Sequence, residues 1–153
     1  GTTTGLMMEY IPNDLHLTVY CYALDIITAC CRMPNLEVVA CGGIFHNNIR
    51  MFESDEGTNL IRKAQINKVF MSARGVSKEM GITISEPYAV NVKKVAISRS
   101  EKKILLVDST KFGKAWYAKY AELDDFDTII TDSGLEAEHK AAAEDRNVEI
   151  ITV

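Results

Sequence analysis

The residues best suited to chemistry in this chain sit at the ends of short apolar runs. Gly1-Thr2-Thr3-Thr4-Gly5 opens it. Small residues let the backbone come close to an anion, the first N–H groups of a helix point outward unpaired, and three hydroxyls can donate. The alternative is a loop whose threonines cap the helix that follows. Asp108-Ser109-Thr110-Lys111-Phe112-Gly113 follows the most apolar run, Ile104 to Val107. In open α/β sheets ligands lie beyond the carboxyl ends of strands, and a lysine there can pair with phosphate. Ser72-Ala73-Arg74-Gly75 also follows a strand pattern, and Arg74 reads either as a fork onto a carboxylate or phosphate or as a surface arginine before a turn. Glu86 falls at a helix start, where the dipole favours its charge; it reads either as a simple N-terminal helix charge or as an acceptor of sugar hydroxyls. Tyr22 ends another strand, with packing as its alternative role. Gly42-Gly43 allows a tight turn or a close backbone approach. Trp116, Tyr117 and Tyr120 read as core or oligomer cover.

Catalysis finds little support. No local Ser/His/Asp pattern stands out, and Asp124, Asp125 and Asp127 read as a solvated turn. The four cysteines, at 21, 30, 31 and 41, form no C-x-x-C pair, and His16, His46 and His139 lie far from them in sequence. Free thiols in a reducing cytosol, with no metal and no cofactor, are the expectation.

The elements that must position these residues read as α/β. Strands are expected at Leu17–Cys21, Leu36–Cys41, Lys68–Ser72, Ile82–Ile84, Lys103–Asp108, Thr128–Thr131 and Val148–Val153. Most are continuous apolar runs, as in parallel strands covered on both faces. Helices are expected from Thr4 to Ile11, over the Ala23, Leu24, Ile27, Cys30, Cys31 stripe, and from Ser54 to Ala64. Two more follow: one capped by Ser85 with Ala89, Val92 and Ala96 on one face, and one from Leu135 to Arg146. The 153 residues suit a single domain, 47% hydrophobic and 25% charged. No apolar run approaches the roughly 18 residues of a membrane span. Nor does the opening segment have the basic and apolar regions of a signal peptide, so a cytoplasmic location is expected. A net charge of −4 makes the chain a poor DNA binder by itself. A parallel sheet normally has a strand before a loop such as the opening one. The chain therefore reads as the C-terminal part of a longer protein.

The series of motifs resembles the C-terminal sensor domain of DeoR-family transcription regulators over nearly the whole length. The matching pieces are Gly1-Thr2-Thr3-Thr4, Leu17–Tyr20 and Val38-Val39-Ala40-Cys41-Gly42-Gly43. Next come Asn67–Met71 with Gly75-Val76, and Gly81-Ile82-Thr83 with Glu86. Asp108–Gly113 and Asp127–Asp132 complete the series. The resemblance implies a mostly parallel sheet flanked by helices, similar to ribose-5-phosphate isomerase and the CoA transferases. It implies a phosphorylated sugar or polyol effector, homo-oligomerisation, and operator binding through an N-terminal winged helix-turn-helix absent from this chain. Such regulators are usually repressors of sugar-utilisation operons. By the same match Thr2, Thr3 and Thr4 hold the phosphate, Lys111 sits beside the ligand, and Glu86 lies near an acid of the isomerase. The isomerase's glycine-rich catalytic segment with its lysine has no counterpart.

Two departures bear on the ligand. Cys21-Tyr22-Ala23 stands where many relatives carry Thr-Asn-Ser, and Ser72-Ala73-Arg74-Gly75 where many carry Gly-Ala-Asp-Gly. An amide, a hydroxyl and an acid give way to a ring and a cation. A more anionic ligand, or a different polyol head, is expected. The competing functions are an isomerase-like enzyme, whose second acid is missing where Arg74 stands, and an oligomerisation domain with a degenerate pocket.

Overall fold

The computed structural model describes residues 2–153, and Gly1 lies outside them. The chain divides into two compact units, Gly1–Ala64 and Gln65–Val153.

The first unit opens with α1 (Thr2–Leu6), continued by a 3-10 turn over Met7–Tyr10 that stops before Pro12. Then come β1 (Leu17–Cys21), α2 (Leu24–Cys30), β2 (Leu36–Ala40), β3 (Ile44–His46), β4 (Met51–Glu53) and α3 (Asp55–Lys63). β1 and β2 pair in parallel, from Leu17 opposite Leu36 to Cys21 opposite Ala40, with α2 as the crossover. β3 and β4 form an antiparallel hairpin in which Phe45 faces Phe52, ring centroids 5.1 Å apart. Met8, Cys21, Cys30, Cys41, Met51 and Ile61 are buried.

Local chemistry sets these boundaries. Ser54 caps α3: its hydroxyl accepts from the Gly57 N–H at 2.8 Å and donates to the Gly42 carbonyl at 2.8 Å. Asp55 and Glu56 open that helix and Arg62 and Lys63 close it, matching its dipole. Gly43 has φ +136°, and a Cβ there would lie 2.3 Å from the Glu53 carbonyl oxygen. The close approach expected of the glycine pair therefore falls on Gly43.

The second unit contains β5 (Ile66–Met71), β6 (Gly75–Ser77), β7 (Gly81–Ile84), α4 (Val90–Ser98) and β8 (Ser100–Leu106). It continues with β9 (Ala118–Ala121), β10 (Thr128–Thr131), α5 (Ala137–Glu144) and β11 (Glu149–Thr152). β11, β10, β8 and β5 form a sheet in that order, every pair parallel. β6, β7 and β9 form a small antiparallel sheet. Ile104, Leu105, Leu106, Val107 and Ile129 are buried, and α4 packs Val92, Ala96 and Ile97 inward. The mostly parallel α/β class expected from sequence is what the chain adopts.

Ser85 is not an N-cap. Pro87 starts a 3-10 turn, Pro87–Ala89, before α4 begins at Val90, so the first free helical N–H groups lie beyond the serine's reach. Its hydroxyl donates to the Glu86 carboxylate instead. The short strands β3, β4, β6 and β9 were not expected.

Candidate functional site

In the second unit, β5, β8 and β10 end at the same edge of the parallel sheet, and the loops leaving them carry the candidate chemistry. After β8, Asp108 caps the 3-10 turn Ser109–Lys111 by accepting the Thr110 N–H at 3.1 Å. Its carboxylate also accepts the Thr110 hydroxyl and lies 3.5 Å from Lys111 Nζ. The hydroxyl, then the lysine, hold the Asp108 pKa below the ordinary carboxylate value. Lys111 is thus oriented but half-exposed, able to meet a ligand.

Asp132, just past β10, fixes this loop. It accepts the Ser109 N–H at 2.7 Å and the Gly134 N–H at 2.8 Å. Bonds from the Ser109 backbone and hydroxyl, then from Gly134, lower its pKa to about 2. Gly134 is packed so tightly that a Cβ would lie 2.7 Å from Ser109 Oγ. Thr131, beside Asp132, buries a hydroxyl that has no hydrogen-bond partner among the described residues.

Arg74 leaves β5 on an exposed loop, its guanidinium 5.6 Å from the centroid of the Trp116 ring. The Arg74 backbone N–H donates to the Thr83 carbonyl at 2.9 Å. Buried Thr83 donates its hydroxyl to the Gly75 carbonyl at 3.2 Å and accepts the Trp116 backbone N–H at 2.9 Å. The Arg74 loop and the Trp116 segment are therefore joined through one side chain. Trp116 is part-exposed beside Arg74, and Tyr120 is buried. Glu86, half-buried, precedes the 3-10 turn that leads into α4.

Lys93 of α4 is 8% exposed. Its Nζ lies 3.3 Å from the Ser72 carbonyl, 3.9 Å from Met71 Sδ and 4.8 Å from the centroid of the Tyr120 ring. Burial lowers its pKa to about 8, against the opposing field of Glu86. Sequence reasoning passed over Lys93, Thr83 and Asp132 as site residues. For Lys93 the signal was there: it stands four residues from both Ala89 and Ile97, inside the apolar stripe.

In the first unit, Thr3 is exposed and Thr4 buried, both in the first turn of α1. The Thr2 side chain lies outside what is described. Tyr22 is half-buried between β1 and α2. Burial, with the Cys21 and Cys41 thiols, raises its pKa, so it is a neutral phenol. The Cys21 thiol is pushed up to about 11 by burial, and those of Cys30 and Cys41 are raised for the same reason. These are protonated thiols, unsuited to nucleophilic work at neutral pH. Cys31 is exposed. Among the described residues no cluster of His, Cys, Asp and Glu suits a metal ion. No helix among them is long and apolar enough to cross a membrane. Asp125 and Asp127 serve structure, Asp125 accepting the Glu122 N–H at 2.8 Å and Asp127 the Lys103 N–H at 2.6 Å, and Asp124 is exposed.

The family model of the DeoR C-terminal sensor domain matches residues 1–133. The chain belongs to the DeoR family. The deoxyribose operon repressor of Escherichia coli strain K12 is 30% identical to this DeoR-family chain over 151 residues, 99% of the chain and 60% of the repressor. The HTH-type transcriptional regulator IolR of Bacillus subtilis is 30% identical over 139 residues, 91% of the chain and 55% of that protein. The L-fucose operon activator of Haemophilus influenzae is 26% identical over 135 residues, 88% and 54% of the two chains. The DeoR-family sensor chain thus spans at most 60% of these three relatives.

Proposed function

We propose that this DeoR-family domain binds a phosphorylated sugar or polyol, and that occupancy controls operator binding by the whole regulator. The observation that carries the reading is Lys111, a half-exposed cation at the end of β8, on a loop pinned by Asp132. Preorganised cations and hydroxyls at strand ends suit phosphate recognition. Lys111 takes the phosphate in this reading, and Arg74 and Glu86 read the remainder of the ligand. Thr2, Thr3, Thr4 and Tyr22 are the candidates of the first unit. Relatives named for a deoxyribose operon and an L-fucose operon support trying sugars first. The domain acts as a non-catalytic homo-oligomer, and DNA is met by a separate winged helix-turn-helix. Control requires that the effector bind one arrangement of the regulator more tightly than another. A thermal-shift screen of sugar and polyol phosphates tests the reading, because a bound ligand stabilises by RT ln(1 + [L]/Kd). Saturable shifts are expected with phosphorylated compounds. No shift across a broad panel would leave an oligomerisation domain with a degenerate pocket.

A further inference from the structure

Lys93 is placed where an ammonium is expensive to keep. Three elements surround it: β5 with Met71 and the Ser72 carbonyl, β9 with the Tyr120 ring, and the turn before α4 with Glu86. Its contacts are one carbonyl, a thioether sulfur and a ring face. Among the described residues no carboxylate forms an ion pair with it. A buried cation without an anion is costly, and an apolar residue of similar volume at such a site is often neutral or stabilising. Structure alone therefore gives little reason for a lysine here. The Ser72 carbonyl also accepts the Tyr120 hydroxyl at 3.1 Å, so the acceptor that faces the ammonium is shared. Ser72, whose carbonyl faces the ammonium, and Glu86, whose charge acts on it, are both half-exposed. Arg74, two residues beyond Ser72, adds a second cation to the same strand exit.

We propose that Lys93 is an anion-binding residue whose ammonium takes an oxyanion of the effector, a phosphate or carboxylate oxygen, at the C-terminal end of β5. The inference rests on the effector-sensing reading and names the charge that the effector must bring. Anion binding completes the ion pair that the fold leaves open and raises the affinity of Lys93 for its proton. Near pH 8, where Lys93 is part-neutral, binding therefore takes up protons.

The test titrates the chain with sulfate and, separately, with malonate; neither titrates near pH 8. Thermal unfolding and calorimetry in two buffers of different ionisation enthalpy follow the binding. Saturable binding with proton uptake is expected from at least one anion. Sulfate points to a phosphate group, malonate to a carboxylate. Lys93→Met is expected to unfold at the parent temperature or higher without anion, and to bind the anion at least tenfold more weakly. Lack of binding by both anions, binding without proton uptake, or undiminished binding to Lys93→Met overturns the proposal. Lys93→Arg keeps the charge but does not titrate near pH 8, so it is expected to bind the anion without proton uptake, and uptake that persists in Lys93→Arg overturns the proposal even if Lys93→Met does not fold. Sugar phosphates stabilising Lys93→Met as well as the parent would remove Lys93 and keep the sensing reading. Anion binding lost in Lys93→Met, with no response to any sugar phosphate, would do the reverse.

Discussion

The Asp132 carboxylate accepts the Ser109 backbone N–H at 2.7 Å, which ties the loop after β10 to the loop after β8. Lys111 rides on the second of these loops. The pKa of Asp132 is lowered from 3.8 to about 2, so its contribution is present above pH 3.8 and lost as pH falls through about 2. Asp132→Asn is expected to lower the unfolding temperature at neutral pH. The difference from the parent should narrow between about pH 4 and pH 2, read by thermal unfolding across that range. It should also weaken effector binding by loosening the Lys111 loop.

Lys111→Met separates stability from recognition. The Lys111–Asp108 pair is 3.5 Å long, with both side chains about 40% exposed. Exposed pairs are worth about 0–1 kcal/mol, so stability in urea should change by no more than about 1 kcal/mol. A charge-assisted bond to phosphate is worth about 1.5–3 kcal/mol, so effector affinity should fall roughly 10- to 100-fold by calorimetry.

Gly75→Ala probes the junction beside Arg74. A Cβ at Gly75 would lie 2.4 Å from the Lys114 carbonyl oxygen and 2.8 Å from Thr83 Oγ. Overpacking of this kind costs about 1–3 kcal/mol, to be read from urea unfolding midpoints. Displacement of Lys114 should also disturb the stacking of Arg74 on Trp116, seen as a change in tryptophan fluorescence.

Ser54→Ala removes the cap of α3 and the bond to the Gly42 carbonyl together. A loss of about 1–2 kcal/mol is expected in urea unfolding, with effector affinity per folded molecule unchanged.

Strands with a run of β-branched and apolar residues were legible from that run, whether buried, as Thr128–Thr131, or largely exposed, as Leu17–Cys21. Leu17–Cys21 and Thr128–Thr131 match their expected bounds. The hairpin β3–β4 and the strand β6 were not legible, since they are only three residues long, and β9 was not because it pairs with β7 across a distant stretch of chain. Ser85 resembled a cap because Ser before Glu-Pro often is one; the intervening 3-10 turn could not be read locally. Lys111 and Arg74 were legible as cations following strands. Asp132 was visible within a motif, but its role depends on a bond to Ser109, 23 residues away. Lys93 stands within the apolar stripe of its helix, but its burial follows from the packing of α4 on β5 and β9.

Sensing of a phosphorylated effector is the central claim. Its most direct measurement is calorimetric titration of the chain with a sugar phosphate taken from the thermal-shift screen, set beside the same sugar without phosphate. The account predicts saturable binding of the phosphorylated form, at least tenfold weaker binding of the parent sugar, and loss of that preference in Lys111→Met. Equal affinity for the two forms, or a preference that survives in Lys111→Met, would contradict it.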